Sequence, residues 1–375
     1  MRQARIINDV PAPYSEAVDK DRLVRDPLVS VVMLAYNHEP YIAQAIEGVV
    51  SQETDFPIEL IIGEDCSTDR TREIVLDYQR RYPESIRVLY AEKNVGGHAN
   101  SVRSVLASRG KYIAFCEGDD WWHRRDKLKF QVPFLQADDS LVCLSGEVQH
   151  ISPKGEVVKP AENSDAAAPQ PIRIGYEDLI FQTVPFPTCT VVARADAVRQ
   201  AMVGDTLYAD HSQLLGDTPL WIELCQRGKI IHRWETMASY RLSLNSAMRQ
   251  TDPLHAWRFE MSYMDVRYLA LERYPLPGEV RRTSSAKSYF IHRILLRAAW
   301  TGNGNMAMKQ LRRLRRLGEK VGWKEMRCVI VALIPLPRRW LKALYLTTAP
   351  YLERMGLNFI KASVGEAVFP SYGKE

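Results

Sequence analysis

The sequence predicts an α/β protein built on a largely parallel sheet, followed by a helical C-terminal extension. Three observations carry that expectation. Apolar, β-branched runs alternate with helix-spaced segments through the first third of the chain, each run ends in a polar turn, and beyond about residue 250 only helical periodicity remains.

The first run, Val29 to Ala35 (VSVVMLA), has the continuous apolar character of a strand covered on both faces of a parallel sheet. Pro40 suits a first helical turn, and Ile42, Ile46, Val49 and Val50 recur at helical spacing. The second unit is a strand over Ile58 to Gly63, a polar turn Glu64-Asp65-Cys66-Ser67-Thr68-Asp69, and a helix through Ile74, Val75 and Tyr78. Ser67, Thr68 or Asp69 is suited to cap that helix. A third strand, Ile86 to Ala91, leads through Asn94-Val95-Gly96-Gly97 into a helix near Asn100 to Ser108. A fourth, Lys111 to Cys116, runs into Glu117-Gly118-Asp119-Asp120. From Asp139 the order changes: strand-like runs at Leu141 to Ile151 and Thr188 to Ala193, a loop from Val158 to Pro171 between them, a helix from near Pro219 to Gly228, a strand Lys229 to Trp234, and the segment Ser239-Tyr240-Arg241.

Composition limits the function classes. The 375 residues carry a net charge of +5, yet Glu279 to Lys342 contains 16 Lys and Arg against three Glu, or +13, which leaves +5 − 13 = −8 for the remainder. An acidic body with a basic C-terminal region is expected. The basic segment interleaves Arg312-Arg313 and Arg315-Arg316 with Leu311, Leu314 and Leu317, and then places Arg338-Arg339 beside Trp340. That pattern fits an interfacial helix on anionic lipid, and equally a solvated basic face; no nucleic-acid module is recognisable, so nucleic acid is not an expected partner. The longest strongly apolar run, Val329 to Pro335, falls short of the roughly 18 residues of a spanning helix. The first 27 residues are charged throughout and lack the apolar core of a signal peptide. Six dispersed cysteines without a CxxC pair point to a reducing, cytoplasmic compartment, with a peripheral position on the inner face of the membrane if the basic region binds lipid.

In an open α/β sheet, ligands bind outside the carboxyl ends of the strands. Tyr36 and Asn37, Asp65, Asn94 and Gly96, and Glu117, Asp119 and Asp120 all follow strand ends. Neither GxGxxG nor GxxxxGK[ST] occurs, which argues against dinucleotide and P-loop chemistry. Adjacent carboxylates at a strand end suit a hard divalent cation that shares its shell with diphosphate oxygens; a turn stabilised by its own aspartates is the structural alternative. His38, His98, His123 and His211 are not spaced as a metal cluster.

The series VSVVMLAYNHEPYI, IIGEDCSTDRT, Glu92-Lys93-Asn94-Val95-Gly96-Gly97 and YIAFCEGDDWW resembles the family 2 glycosyltransferases in order and spacing over about the first 240 residues. The resemblance implies a GT-A fold, mixed but mostly parallel, over residues 28–250, with 1–27 as an N-terminal extension and 251–375 as a helical basic region. It implies an inverting, metal-dependent transfer of a hexose from a nucleotide-diphosphate sugar to an acceptor hydroxyl of a glycan or lipid-linked intermediate, in cell-surface glycan or polysaccharide synthesis. By the same resemblance, Ala35, Tyr36, Asn37 and Asp65 line the base pocket, and Asn94, Gly96, Asn100, Glu117, Gly118, Asp119 and Arg241 complete the nucleotide-sugar site. Mg²⁺ or Mn²⁺ would sit on Asp119 and Asp120; Glu117 takes the place of the first acid of the common DxD motif. The general base would be Asp217, at the start of a helix marked by Pro219, although capping alone explains an Asp there. Glu223 and Asp210 are the alternative acids, and Arg241 suits either a phosphate or a carboxylate such as Asp217. A sugar-1-phosphate nucleotidyltransferase would need a Gly-rich loop after the first strand, where Ala35-Tyr36-Asn37-His38 stands instead. A non-catalytic sugar-nucleotide or glycan binder would not need Asp65, Asp119, Asp120 and Asp217 together.

Overall fold

Apolar side chains on both faces of a strand demand cover on both faces, and that requirement organises the first part of the chain. A computed structural model describes residues 12–161, 170–184, 186–209, 217–243, 253–277 and 280–333. After a three-residue strand β1 (Ser15–Ala17) come β2 (Val29–Ala35), β3 (Ile58–Glu64), β4 (Ile86–Tyr90) and β5 (Tyr112–Phe115). They lie in the order β1-β4-β3-β2-β5; all pairs are parallel except β1 with β4. The expected N-terminal extension therefore supplies an edge strand, with Ser15 opposite Tyr90. The connecting helices are α1 (Ile42–Val50), α2 (Thr71–Arg81) and α3 (Gly97–Ala107). In α1, Ile42, Ala45, Ile46 and Val49 are all buried, the i, i+3, i+4, i+7 stripe of a helix laid on a sheet.

Beyond β5 the sheet becomes mixed. α4 (Lys127–Ala137) leads to β6 (Leu141–Ile151), β7 (Val157–Lys159), β8 (Ile172–Ile174), α5 (Tyr176–Phe181), β9 (Val192–Arg194), α6 (Ala195–Met202), α7 (Asp217–Cys225) and β10 (Lys229–Arg241). Their order is β5-β9-β6-β10-β8, with β7 on β6, and only β6 and β10 pair in parallel. Because β2 neighbours both the next strand in sequence and the later β5, the chain reverses its direction of travel there, and the carboxyl ends of β2, β3 and β5 open onto one crevice.

Two local expectations are corrected. Thr188 to Thr190 form a 3₁₀ turn rather than the start of a strand, since the Thr190 hydroxyl donates to Pro187 O at 2.7 Å and curls the chain before β9. The segments Lys229 to Trp234 and Ser239 to Arg241 are one strand, whose alternation is hidden by register shifts between His232 and Ala238.

The chain divides after Ser243 into two compact units. Among the described residues the second is helical: α8 (Pro253–Arg273), α9 (Val280–Trp300), α10 (Gly304–Arg316) and α11 (Trp323–Leu333). Ile291, Ile294, Leu295, Leu311 and Leu314 form part of its core. Glu260 on α8 accepts from Arg293 at 2.9 Å and from Arg297 at 2.6 Å, and Asp265 pairs with Lys309 at 2.7 Å and with Arg313. Arg293, Arg297, Lys309 and Arg313, four of the sixteen basic residues of the window, are thus matched by acids that precede it in sequence. The interfacial-helix expectation fails for α10 itself, because Leu311 and Leu314 face the bundle core. No described helix is long and apolar enough to cross a membrane. Asp210, His211, the Leu215-Gly216 pair, most of the loop expected between Val158 and Pro171, and Arg338-Arg339-Trp340 lie outside the described residues.

Candidate active site

At the ends of β2 and β3 the two loops are laced together by side chains. Asn37 adopts a left-handed backbone (φ 56°), and its amide oxygen accepts from the Thr68 backbone N–H at 2.8 Å. Asn37 N–H donates to the Ser67 hydroxyl, His38 N–H to Thr71 Oγ1 and Glu39 N–H to Asp69. Asp65 N–H donates to Ala35 O at 3.0 Å, which registers the two strand ends. Tyr36 stands above them with 44% of its surface exposed. The two strand ends are thereby locked into one surface, with an exposed aromatic ring beside it.

Asp65 is almost fully buried, and its carboxylate organises the third strand end. Its two oxygens accept from Val95 N–H and Gly96 N–H, each at 2.9 Å, while Asn94 Nδ2 donates to Asp65 O. Gly96 has φ 87°, a conformation open to glycine and strained for other residues. Behind it, Asn100 donates to Gly63 O at 2.7 Å and accepts from Arg103 Nε at 2.9 Å. Arg103, wholly buried, also bonds Glu64 O and lies 3.8 Å from Asp65; burial lowers the pKa of its guanidinium, and its Nη1 has no hydrogen-bond partner. Arg103 is a site residue the sequence reading passes over. The signal available was a polar stripe, Asn100, Arg103 and Ser104, on the inward face of α3, opposite a glycine in β3: a Cβ on Gly63 would stand 2.4 Å from both Asn100 Oδ1 and Ser104 Oγ.

The acidic loop after β5 is held from 120 residues away. Trp121 and Ser239 exchange backbone hydrogen bonds at 3.0 and 2.7 Å. Arg241 N–H donates to Asp120 Oδ1 at 2.9 Å and Arg241 Nε to Asp119 O at 2.8 Å; its remaining guanidinium donors go to Ser152 O, Pro153 O and Gln44 Oε1. The Arg241 side chain also stacks over Tyr41 at 4.8 Å. With its donors divided between the acidic loop, the Ser152-Pro153 turn and Gln44, Arg241 clamps that loop in place. Gly118 is required by packing, since a Cβ there would meet His38 Nδ1 at 2.6 Å and Ile42 Cδ1 at 2.8 Å.

The clamp separates two residues that the sequence presents as a pair. Asp120 turns inward: it is 3% exposed, bonded to the Arg241 backbone and to the Cys189 thiol, and its pKa is raised well above the carboxylate range by burial and by Asp119 and Glu117. Asp119 keeps a partly exposed carboxylate at the crevice. Glu117 has an oxygen, Oε2, with no hydrogen-bond partner, and burial together with the charges of Asp119 and Asp217 pushes its pKa up to about 8. Burial and the neighbouring acids thus raise the pKa of both Glu117 and Asp120, with little positive charge to offset them. A hard divalent cation is the species that relieves this and takes oxygen ligands, so the donor set fits Mg²⁺ or Mn²⁺, with the rest of the shell left to water and phosphate oxygens. No described group of three His, Cys, Asp or Glu side chains already has metal-binding geometry.

Beneath the loop lies a second overlooked group. Lys127, the first residue of α4, is completely buried; its Nζ has no hydrogen-bond partner and sits 4.0 Å from the centre of the Trp122 ring. Burial lowers its pKa to about 7. Trp122 Nε1 donates to Cys189 O at 2.8 Å, which fastens the Thr188–Thr190 turn to the loop.

That turn leads to Asp217. The Asp217 carboxylate is exposed at the first residue of α7 and accepts from Thr218 N–H at 2.6 Å and from the Thr188 hydroxyl at 3.3 Å. Its charge is felt at Glu117, where it adds to the rise in that residue's pKa. Glu223, the alternative within α7, is buried with its oxygens bound to Leu207 N–H and to Arg227.

Residues 30–198 match the family described as glycosyl transferase family 2. An uncharacterised protein of Mycobacterium tuberculosis is 43% identical over 116 residues, covering 31% of this chain and 34% of that protein, so the match spans about a third of the relative's length. A Bacillus subtilis protein named for teichuronic acid biosynthesis, the glycosyltransferase TuaG, is 28% identical over 224 residues, covering 59% of this chain and 81% of that one. The solved structures include TarS residues 1–349 of S. aureus in complex with UDP-GlcNAc, with a TM-score of 0.51 at 18% identity, covering 81% of this chain and 79% of that one. A second is the mannosyltransferase PcManGT of Pyrobaculum calidifontis in complex with GDP-Man and Mn²⁺, with a TM-score of 0.50 at 15% identity, covering 95% and 89%. These likenesses show the GT-A fold.

Proposed function

We propose that the protein, whose residues 30–198 match glycosyl transferase family 2, transfers a hexose, with inversion, from a nucleotide-diphosphate sugar to a hydroxyl of a glycan or lipid-linked acceptor. The reading is supported by the strand order β3-β2-β5, which sets side by side the ends that carry Asp65, Ala35 to Asn37, and Glu117 and Asp119, and by the electrostatic coupling of Glu117 to Asp217 at the start of α7. The nucleotide base lies on the Ala35–Asn37 floor beside Tyr36, against the turn that Asp65 holds with Asn94 and Gly96. Asn100 acts from behind through Gly63. The diphosphate extends toward Gly118 and Asp119. Asp119, with Glu117 at hand, holds a divalent cation; Asp120 and Arg241 keep that loop in place. When bound, the cation offsets the charge of the departing diphosphate. Asp217 accepts the proton of the acceptor hydroxyl as its oxygen bonds to the anomeric carbon and the sugar–phosphate bond breaks. Its exposure leaves it open to an acceptor, and its bond to the Thr188 hydroxyl orients it. The sugar-bearing acceptor, TuaG-like roles in surface polymers and a peripheral position at an anionic membrane are parts of the same reading.

The test is a transfer assay over a panel of nucleotide sugars with Mn²⁺. Asp217→Asn should retain donor binding and melting temperature while transfer falls by about 100-fold to 10,000-fold. Loss of a cap alone would cost only about 1 kcal/mol of stability. Turnover per folded molecule that survives the substitution would remove Asp217 from the mechanism.

A further inference from the structure

We propose that the corner joining α10 to α11 is a docking surface for an anionic phospholipid bilayer. The buried ion pairs of the second unit use up Arg293, Arg297, Lys309 and Arg313, yet a separate set of cations stays free of them. Arg312, Arg315 and Arg316 point outward from the last turns of α10, Lys320 stands in the six-residue connection, and Arg327 is exposed on α11. None of the five makes an ion pair with a described residue. Glu325, by contrast, is engaged by His292 and by Gly322 N–H. Between Lys320 and Arg327 in sequence stands Trp323, the first residue of α11, 71% exposed. Arg327 and Ile330 follow it at i+4 and i+7, so one outward stripe of α11 carries indole, guanidinium and sec-butyl groups in turn.

An exposed indole at a helix start, with exposed cations before and after it in the chain that pair with no described acid, fits a surface that is anionic outside and apolar just beneath. An acidic protein surface would satisfy the cations alone. The occupant proposed here answers both features: lipid phosphates for the arginines and the interfacial layer for Trp323. Because α10 buries its leucines in the bundle, attachment is electrostatic with a single aromatic anchor, and therefore reversible. This deepens the membrane part of the proposed function and is independent of the transfer chemistry.

The test uses full-length protein and vesicles of phosphatidylcholine, alone or mixed with phosphatidylglycerol. Co-sedimentation with the mixed vesicles is expected at low salt, with release as salt rises and no binding to phosphatidylcholine alone. Replacing Arg312, Arg315 and Arg316 together by Gln should lower the partition by about 100-fold, at about a kilocalorie per charge and a factor of ten for each 1.4. Trp323→Ser should weaken binding while leaving its salt dependence unchanged. A control that replaces Lys20, Arg80 and Arg81 by Gln removes the same charge from exposed positions of the first unit and should partition like the parent. Circular dichroism and donor binding check that each variant is folded. Equal partition to both vesicle types, no partition to either, or an equal loss in the control triple would overturn the assignment. Donor binding and transfer to a soluble acceptor would in each case still test the catalytic reading separately.

Discussion

Lys127 gives the fold a measurable dependence on pH. Its ammonium is buried without an acceptor, and burial holds the pKa at about 7 against an ordinary 10.5. Between those two values the unfolded chain binds a proton that the folded chain does not, so stability rises with pH across that window; below about 7 both states are charged and the burial penalty is fully present. Each step of one in pH across the window is worth about 1.36 kcal/mol. Allowing for a half-titrated group at the lower end, the gain from pH 7 to pH 9 is about 2 kcal/mol. Lys127→Met keeps the side-chain length and removes the titration. Urea unfolding of both proteins at pH 7 and pH 9 isolates the effect, because Glu117, with its pKa pushed up to about 8, titrates in both and drops out of the difference. The stability of the Met variant relative to the parent should fall by about 2 kcal/mol over that interval. Lys127→Arg, which cannot shed its charge, should lose stability at both pH values. A relative stability that does not change with pH would show that the ammonium stays charged in the folded protein, and the reasoning would fail.

Three further outcomes follow from the packing and the acidic loop. Gly63→Ala forces a Cβ to 2.4 Å from Asn100 and Ser104, so it should cost about 1–3 kcal/mol in thermal unfolding and weaken donor binding through the displaced α3. Asp119→Asn and chelation should each abolish transfer with little change in the melting temperature of the ligand-free protein, whereas Asp120→Asn, which alters the clamp, should also destabilise the fold; full activity in excess chelator would remove the metal. Asp265→Asn leaves Arg313 buried without its counter-charge and should cost about 3–5 kcal/mol, read by denaturation monitored in the helical unit, and an unchanged midpoint would show that the pair contributes nothing there.

Continuous apolar runs made β2 to β5 legible, because a strand covered on both faces has no other way to be written. The three-residue strands β1, β7 and β8 were not, since so short an element has no period and exists through its neighbour. Helix α4 was obscured by Pro133 in its interior. Within the candidate site, the strand-end positions of Asp65, Glu117 and Asp119 followed from topology, and their residue types stood in the chain. The different orientations of Asp119 and Asp120 did not follow, because they depend on backbone and side-chain bonds from Arg241, 121 positions after Asp120. Arg103 and Lys127 stayed hidden for the same reason: charged residues in an amphipathic helix read as solvent-facing until the partner surface is known. The leucines of α10 illustrate the converse, an apparent lipid-facing stripe that belongs to the bundle.

The clamp on the acidic loop also sets an order of assembly. Every carboxylate of that loop leaves the ribosome with residues 117–120, but the groups that fix its shape, Ser239 and Arg241, are made last among the strands of the sheet. Contacts spanning some 120 residues form late, after the local strand–helix units have closed. A nascent chain, or a fragment ending near residue 198, would therefore hold the whole acidic sequence and still lack its working conformation. Synthesis through Arg241 becomes the requirement: the acidic loop is organised only after the final strand has docked.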